Sequence, residues 1–264
     1  MATTDIIYYN VGGSMNVVTE LLKSSLKLKP KIISLVKCPL ENSDRMEIKE
    51  FTCYTSTEAE KYGCAIYVNN EYVNMFVIDS ITFDFVTLNT AGTEMTIGYK
   101  KPTAKTWDGQ NKWHKGTKNI IIGNLNAISN TWSVGQSKTQ GNILREWLDK
   151  WPNLEVVNRY DITYAPTNQN HSSSTINLVI ANPRCKVKVK HRIIASTEHR
   201  ALEVKTNLVW RETTEKLLRF NKADWGKIEA ELTLLDVNDS DPIHLQENLT
   251  RIILAHTPRA TRKA

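Results

Sequence analysis

The fold of this chain is decided by one stretch, Ile120-Ile121-Ile122-Gly123-Asn124-Leu125-Asn126-Ala127-Ile128-Ser129, in which an apolar run ends at a glycine and polar side chains follow. Three consecutive isoleucines favour a strand that is covered on both faces. Gly123 permits a sharp change of direction, after which Asn124 and Asn126 emerge on one side. The stretch therefore predicts a buried strand that ends in a site loop, although a strand ending in an ordinary Asx turn fits the same residues.

The charges of the chain are unevenly distributed. The formal net charge is +6 over 264 residues, but residues 41 to 94 hold ten acidic and three basic side chains. Residues 100 to 118 hold six lysines against one aspartate, and residues 181 to 211 hold eight Lys or Arg against two glutamates. This asymmetry favours a polyanionic partner bound on one side, although solvated lysines on strand faces would explain either cluster alone.

The four cysteines, Cys38, Cys53, Cys64 and Cys185, show neither Cys-x-x-Cys spacing nor the density of a disulfide framework. This pattern indicates a reducing compartment. The first residues lack the charged and apolar regions of a leader peptide, and no apolar run approaches the ~18 residues that a bilayer crossing needs. We expect an intracellular protein without membrane association, located in the nucleus if it is functional.

Strand and helix patterns alternate along most of the chain. Residues Ile6 to Asn10 and Ile32 to Val36 predict buried strands, and residues 17–28 between them predict a helix. The clearest helix is predicted from Gln140 to Trp151, where large apolar residues recur on one face. Beyond Val209 the pattern is helical and carries no strand signal. The order predicts one large α/β domain followed by a helical tail.

Short motifs follow this element order. They are Asn10 at the end of the first strand, Ile97-Gly98-Tyr99-Lys100-Lys101-Pro102, Gly123-Asn124-Leu125-Asn126-Ala127, Trp132 followed by Gly141-Asn142-Ile143-Leu144-Arg145-Glu146-Trp147-Leu148, Ser174-Thr175-Ile176-Asn177-Leu178, and Ser196-Thr197-Glu198-His199-Arg200-Ala201-Leu202. In order and spacing the chain resembles the endonuclease/exonuclease/phosphatase superfamily over about residues 5 to 209. The tryptophan after the asparagine box and the Gly-x-x-Leu-x-x-Trp-Leu helix resemble, more narrowly, the endonuclease domains of non-LTR retrotransposons.

The resemblance implies a four-layer α/β/β/α sandwich, two packed mixed β-sheets flanked by helices, over residues 1–210. Residues 211–264 would form a helical connector that leads towards a reverse transcriptase. The reaction of the family is metal-dependent phosphodiester hydrolysis that nicks target DNA, with Mg²⁺ as the expected cofactor. The implied catalytic positions are Asn10, Tyr99, Asn124, Asn126, Asn177 and His199, and the implied metal positions are Cys38 and Glu198.

Several of these positions depart from the family pattern. Cys38, Asn124 and Asn177 stand where the family carries carboxylates, and only Glu198 keeps a negative charge. Magnesium prefers hard oxygen ligands, so we expect it to bind weakly unless Glu41 substitutes from the following loop. An amide at Asn124 cannot act as a base. An amide at Asn177 could hold His199 in the wrong tautomer.

The basic segments suggest the partner. We expect DNA, or RNA, to contact the side chains Lys100, Lys101, Lys112, Trp132, Lys188, Arg192 and Arg200. The oligomeric state is not predicted by the sequence.

Three functions remain open at this point. The first is a retrotransposon-type endonuclease domain that binds nucleic acid but has weak or no activity. The second is a working Mg²⁺-dependent endonuclease with substituted ligands, and the third is a domesticated interaction module without catalysis. The shared motif order predicts that the catalytic and metal positions line one cleft at the strand ends between the two sheets.

Overall fold

The computed structural model describes residues 5–39, 47–55, 62–75, 77–81, 85–90, 92–102, 118–168, 170–193, 197–208, 216–218, 223–234 and 259–261, together with 249, 252, 253, 255 and 256. The chain divides into two compact units, Met1–Glu212 and Thr213–Ala264. The four cysteines, all within the described ranges, form no disulfide. None of the helices in the described ranges has the length and hydropathy that crossing a membrane requires.

The first unit contains two six-stranded mixed sheets. The first sheet has the order β11-β12-β1-β2-β4-β3, with β1 Ile6–Asn10, β2 Ile32–Pro39, β3 Phe51–Thr55, β4 Tyr62–Asn69, β11 Lys188–Arg192 and β12 Ala201–Lys205. The second has the order β5-β6-β7-β8-β10-β9, with β5 Val77–Ile81, β6 Phe85–Thr90, β7 Thr93–Tyr99, β8 Lys118–Asn124, β9 Glu155–Val156 and β10 Asn177–Ala181. Each sheet has one parallel pair at its centre, β1 with β2 and β7 with β8. These pairs bring the carboxyl ends of neighbouring strands to the same edge of each sheet.

Three layers of apolar side chains hold the unit together. The layer between the sheets includes Tyr8 of β1 and Ile122 of β8. On the outer face of the first sheet, helix α1 (Met15–Leu26) packs its Leu21 against Ile33. On the outer face of the second sheet, helix α2 (Thr139–Asp149) buries Leu144 and Trp147. The predicted four-layer α/β/β/α sandwich is therefore confirmed, and the isoleucine run is covered on both faces as expected.

Helix α2 approaches the loop after β8 very closely. A Cβ atom on Gly141 would lie 1.8 Å from the backbone oxygen of Ile128. Any other side chain would force the helix away from the loop. The glycine thus fixes the first turn of α2 against residues 126–129, where the polar side chains of the opening stretch lie.

The second unit corrects one prediction. Residues Lys216–Leu218 (β13) pair antiparallel with Arg259–Thr261 (β14), where the sequence pattern indicated helix alone. Between them helix α3 (Trp225–Thr233) buries Ile228 and begins at Asp224, whose carboxylate accepts a hydrogen bond from the Lys227 amide. Three-residue strands are too short to produce a recognisable alternation in sequence.

Candidate active site

A cavity of about 960 Å³ opens where β1, β2, β7 and β8 of the first unit end. Its wall includes six of the eight predicted catalytic and metal positions, Asn10, Tyr99, Asn124, Asn126, Glu198 and His199. It also includes Lys37, Tyr164, residues 134–140 at the start of α2, and the polar residues 170–174. We call this cavity the cleft.

The loop after β8 is fixed by hydrogen bonds within the protein. The side-chain oxygen of Asn124 accepts from the Asn126 amide at 3.1 Å, and the Asn126 side chain donates to the Lys100 carbonyl at 2.6 Å. The Lys100 amide donates back to the Asn124 carbonyl at 2.8 Å. The buried Tyr8 hydroxyl accepts from the Asn124 amide and donates to the Gly98 carbonyl, which links the two sheets at the floor of the cleft. The stretch therefore contains the Asx turn, and Asn124 and Asn126 of the same loop also line the cleft.

Glu198 and His199 lie on the opposite side of the cleft. Glu198 accepts hydrogen bonds from the Thr167 amide (2.8 Å), the Thr167 hydroxyl (2.9 Å) and the Tyr164 hydroxyl (3.1 Å). The two hydrogen bonds from Thr167 hold the pKa of Glu198 below its usual range, and the bond from Tyr164 lowers it by a smaller amount. Burial, followed by repulsion from the Lys37 ammonium, lowers the pKa of His199 to about 4 against an opposing contribution from Glu198. His199 is therefore a neutral imidazole at pH 7.

Asn177 does not act on His199 as the sequence suggested. Its side-chain nitrogen donates to the Thr163 carbonyl at 3.4 Å, and its side-chain oxygen has no hydrogen-bond partner. The Nδ1 atom of His199 also has none, so no hydrogen bond joins the two residues. Asn177 is fully buried and lies outside the wall of the cleft, although Asn124, its register partner on β8, lines it. The expected control of the histidine tautomer by this amide is absent.

Cys38, the position at which the resemblance implies a metal ligand, does not line the cleft. Cys38 is buried beneath α1 with Leu35 and Tyr67, and burial raises the pKa of its thiol to about 11. Lys37 lines the cleft instead, because β2 shifts its register against β4 between Leu35 and Cys38 and Lys37 adopts a positive φ of 54°. The residue in the cleft at this position is thus a cation. Glu41, the possible substitute, lies outside the described residues.

Two predicted nucleic-acid contacts are buried instead. Trp132 is 2% exposed, and its indole nitrogen donates to the Ala127 carbonyl at 2.9 Å, so it packs in the core beneath α2 and cannot stack on a base. Lys100 is 3% exposed, and its ammonium donates to the side chain of Gln140. Both residues stabilise the loop after β8 rather than presenting groups to a ligand.

The other predicted contacts that the structure describes, Lys101, Lys188, Arg192 and Arg200, do not belong to the wall of the cleft. Lys188 and Arg192 belong to the edge strand β11, and Arg192 forms an ion pair with the nearly buried Glu203. Their side chains share the outer face of the sheet with Glu203, while Val189 points into the core. Arg200 is half-buried, Lys101 is exposed next to Pro102 at the rim, and Lys112 lies outside the described residues.

Comparison with known proteins identifies the fold. No protein-family model matches the chain, and no curated protein matches it. Among solved structures, the endonuclease domain of TRAS1, a telomere-specific non-LTR retrotransposon, is similar with a TM-score of 0.60 and 16% identity over 77% of this chain and 98% of that one. The chain has the endonuclease/exonuclease/phosphatase fold.

Two further structures share this fold. A 3′ phosphatase from Neisseria, solved with a product DNA hairpin, gives a TM-score of 0.57 at 14% identity and covers 78% of this chain and 100% of its own. An AP endonuclease from Archaeoglobus fulgidus gives 0.56 at 13% identity, with 77% and 99% covered. The resemblance stated from the motifs is thus confirmed at the level of the fold.

The described residues of this endonuclease/exonuclease/phosphatase fold do not fit a Mg²⁺ site. Within the part of the chain that the structure describes, no three His, Cys, Asp or Glu side chains form a group that could hold a metal ion. The side-chain oxygen of Asn124 is engaged by Asn126, both oxygens of Glu198 accept hydrogen bonds, and Lys37 brings a positive charge into the cleft. Magnesium needs several free oxygen ligands.

The sequence missed four residues that the structure places in or beneath the cleft. Lys37 and Tyr164 line it, and Lys138 stands at the start of α2. Tyr8 lies beneath the cleft, where its hydroxyl bonds to the backbone of Gly98 and Asn124. Tyr164 directly precedes Ala165-Pro166-Thr167, and its hydroxyl and the Thr167 amide both donate to Glu198, so the signal that could have indicated it is its place in this polar loop. Lys37 could not be found by strand alternation, because the register shift in β2 reverses the face on which it falls.

Proposed function

We propose that this chain is a nucleic-acid-binding domain of the retrotransposon endonuclease type whose hydrolytic activity is weak or absent. The observation that carries the proposal is that six positions of the family site surround one cleft although Glu198 is their only carboxylate. The neutral polar side chains expected at the site are present, while the carboxylates that would hold a metal ion and activate water are replaced.

In this proposal the neutral residues of the cleft bind one phosphate of the nucleic-acid backbone. Asn10, Tyr99 and His199 would contact its oxygens, because amides, phenols and imidazoles donate hydrogen bonds to anions. Asn126 would hold the loop after β8 in place, since its amide is bound to the Lys100 carbonyl. Asn124 has no basic pKa and cannot take a proton from water. The proposal therefore predicts affinity for nucleic acid without efficient hydrolysis.

Two assays on the same preparation test the proposal. In the first, supercoiled plasmid is incubated with the protein and Mg²⁺ or Mn²⁺, and nicked circles are quantified; we expect none above background. In the second, binding of labelled duplex DNA is measured by anisotropy between about 50 and 200 mM salt, where affinity should fall steeply with salt because phosphate contacts release counterions.

The two alternative functions correspond to other outcomes. Robust Mg²⁺-dependent nicking that His199→Ala abolishes would contradict the proposal and identify a working endonuclease. If the protein shows no nicking and no salt-dependent DNA binding, the proposal is contradicted in favour of a non-catalytic interaction module.

A further inference from the structure

The backbone that carries Lys37 is fixed at the edge of the cleft. The Lys37 carbonyl accepts a hydrogen bond from the Gly13 amide at 3.0 Å, and the Val36 carbonyl accepts one from the Val11 amide at 3.0 Å. These bonds tie the end of β2 to the loop that follows β1. Because Cys38 is buried in the core on the other side, the side chain of Lys37 is committed to the cleft.

A buried hydrogen-bond donor lies in the same wall. Asn10 is 1% exposed, and its side-chain oxygen accepts from the Gly12 amide at 3.0 Å. This bond fixes the orientation of the amide, and its Nδ2 atom has no partner. A buried NH₂ group without an acceptor is costly, so its retention beside the cleft indicates an acceptor supplied by a ligand.

The positive charge of Lys37 is not paired with a carboxylate, Glu198 included, in the part of the chain that the structure describes. Glu198 is turned to Thr167 and Tyr164 by three hydrogen bonds. An ammonium and an amide NH₂ on the adjoining ends of β1 and β2 therefore form a site whose complement is a phosphate oxygen.

We infer that Lys37 is a fixed cation in the cleft and that, with Asn10, it binds a nucleic-acid phosphate without a divalent metal ion. This inference rests on the proposed function and adds the residue that replaces the metal. A tethered ammonium supplies positive charge next to the phosphate but no Lewis acid for water, which agrees with binding in the absence of hydrolysis.

The test is DNA binding with and without metal. Anisotropy of a fluorescein-labelled 12-base-pair duplex is measured in EDTA and in MgCl₂ at matched ionic strength for the wild type, Lys37→Gln, Lys37→Arg and the control Lys23→Gln. Lys23 is an exposed lysine in the last turn of α1 and lies outside the wall of the cleft, so its loss removes the same net charge.

We expect wild-type affinity to agree within about twofold in the two buffers, and Lys37→Gln to lose about tenfold or more in both, because a charge-assisted phosphate contact is removed. The slope of log affinity against log salt should fall by about 0.9 in Lys37→Gln. Lys37→Arg should bind like the wild type, which excludes a folding defect at this position. Lys23→Gln should lose no more than about twofold, since long-range effects of exposed charges are screened.

Three outcomes would overturn the inference. Wild-type binding that disappears in EDTA and returns with Mg²⁺ would overturn the inference while leaving nucleic-acid binding intact. Equal losses in Lys37→Gln and Lys23→Gln would also overturn it, because a general charge effect would then suffice. Absence of DNA binding by the wild type in both buffers would remove the proposed function and this inference together.

Discussion

The two strand pairs that meet at the cleft use their polar groups differently. On the second sheet, the side-chain oxygen of Asn124 accepts a hydrogen bond from the Asn126 backbone amide, and the Asn126 side chain donates to the Lys100 carbonyl at the end of β7. On the first sheet, Asn10 keeps an unpartnered Nδ2 atom and Lys37 makes no salt bridge with a described carboxylate. The comparison teaches that polar side chains at these strand ends have two different roles. The amides on the second sheet bond within the protein and are structural, whereas the cation on the first sheet keeps the site open to an anion.

The largest expected effect separates the neighbours Lys37 and Cys38. Cys38→Glu should lower the free energy of unfolding by about 4 kcal/mol at pH 7, because it would place an unpaired carboxylate in the core beneath α1. Lys37→Glu should change it by less than about 1 kcal/mol, because the new carboxylate can reach the open cleft. Urea denaturation of both variants measures the difference. Similar losses in the two variants would show that Lys37 is as buried as Cys38 and would break the comparison.

This pair also shows what the sequence could and could not predict. Apolar alternation and the α2 pattern depend on local residues, so they predicted individual strands and helices. The sandwich and the cleft at the strand ends were implied by the resemblance of the motifs to a known family. The face on which Lys37 falls depends on a register shift against β4, which is a tertiary feature. Trp132 illustrates the same limit, since motif order located it correctly but could not show that its indole donates to Ala127 in the core.

The next effect concerns acid stability at His199. Its pKa in the folded protein is about 4, below the usual 6.5, so the unfolded state binds the proton first as pH falls. The folded state should lose up to about 3 kcal/mol relative to the unfolded state between pH 6.5 and 4, and that stability should be fully present above pH 6.5. Urea midpoints measured from pH 7 to 4 for wild type and His199→Gln isolate this term, because other groups contribute to both proteins.

The outcome bears on the comparison directly. If His199→Gln follows the same pH dependence as the wild type, the histidine is not buried beside a cation and Lys37 does not share its surroundings. If the difference appears and shrinks in Lys37→Gln, repulsion between the two groups is the second cause, after burial, that the structure indicates.

The smallest effect tests how Glu198 is held on the far side of the cleft. Tyr164→Phe keeps the ring that packs 5.0 Å from the His199 ring and removes only the hydrogen bond from the phenol to Glu198. It should cost about 1 kcal/mol of stability, the net value of one hydrogen bond. The pKa of Glu198 should rise towards its usual range, and the rise should be smaller than in Thr167→Val, because the Thr167 hydroxyl bond that Val removes lowers this pKa more than the Tyr164 bond does, while the backbone amide of residue 167 stays in place.

Carboxyl carbon shifts of Glu198, followed by NMR through an acid titration, measure both changes in pKa. Tyr160→Phe is the matched control, since its hydroxyl donates to the Asn130 carbonyl at 3.0 Å and does not contact Glu198. A pKa of Glu198 that is unchanged in Tyr164→Phe and in Thr167→Val would mean that these bonds do not hold the carboxylate. Glu198 would then be free to turn towards Lys37 and neutralise it, and the two sides of the cleft would no longer differ in the way that the structure shows.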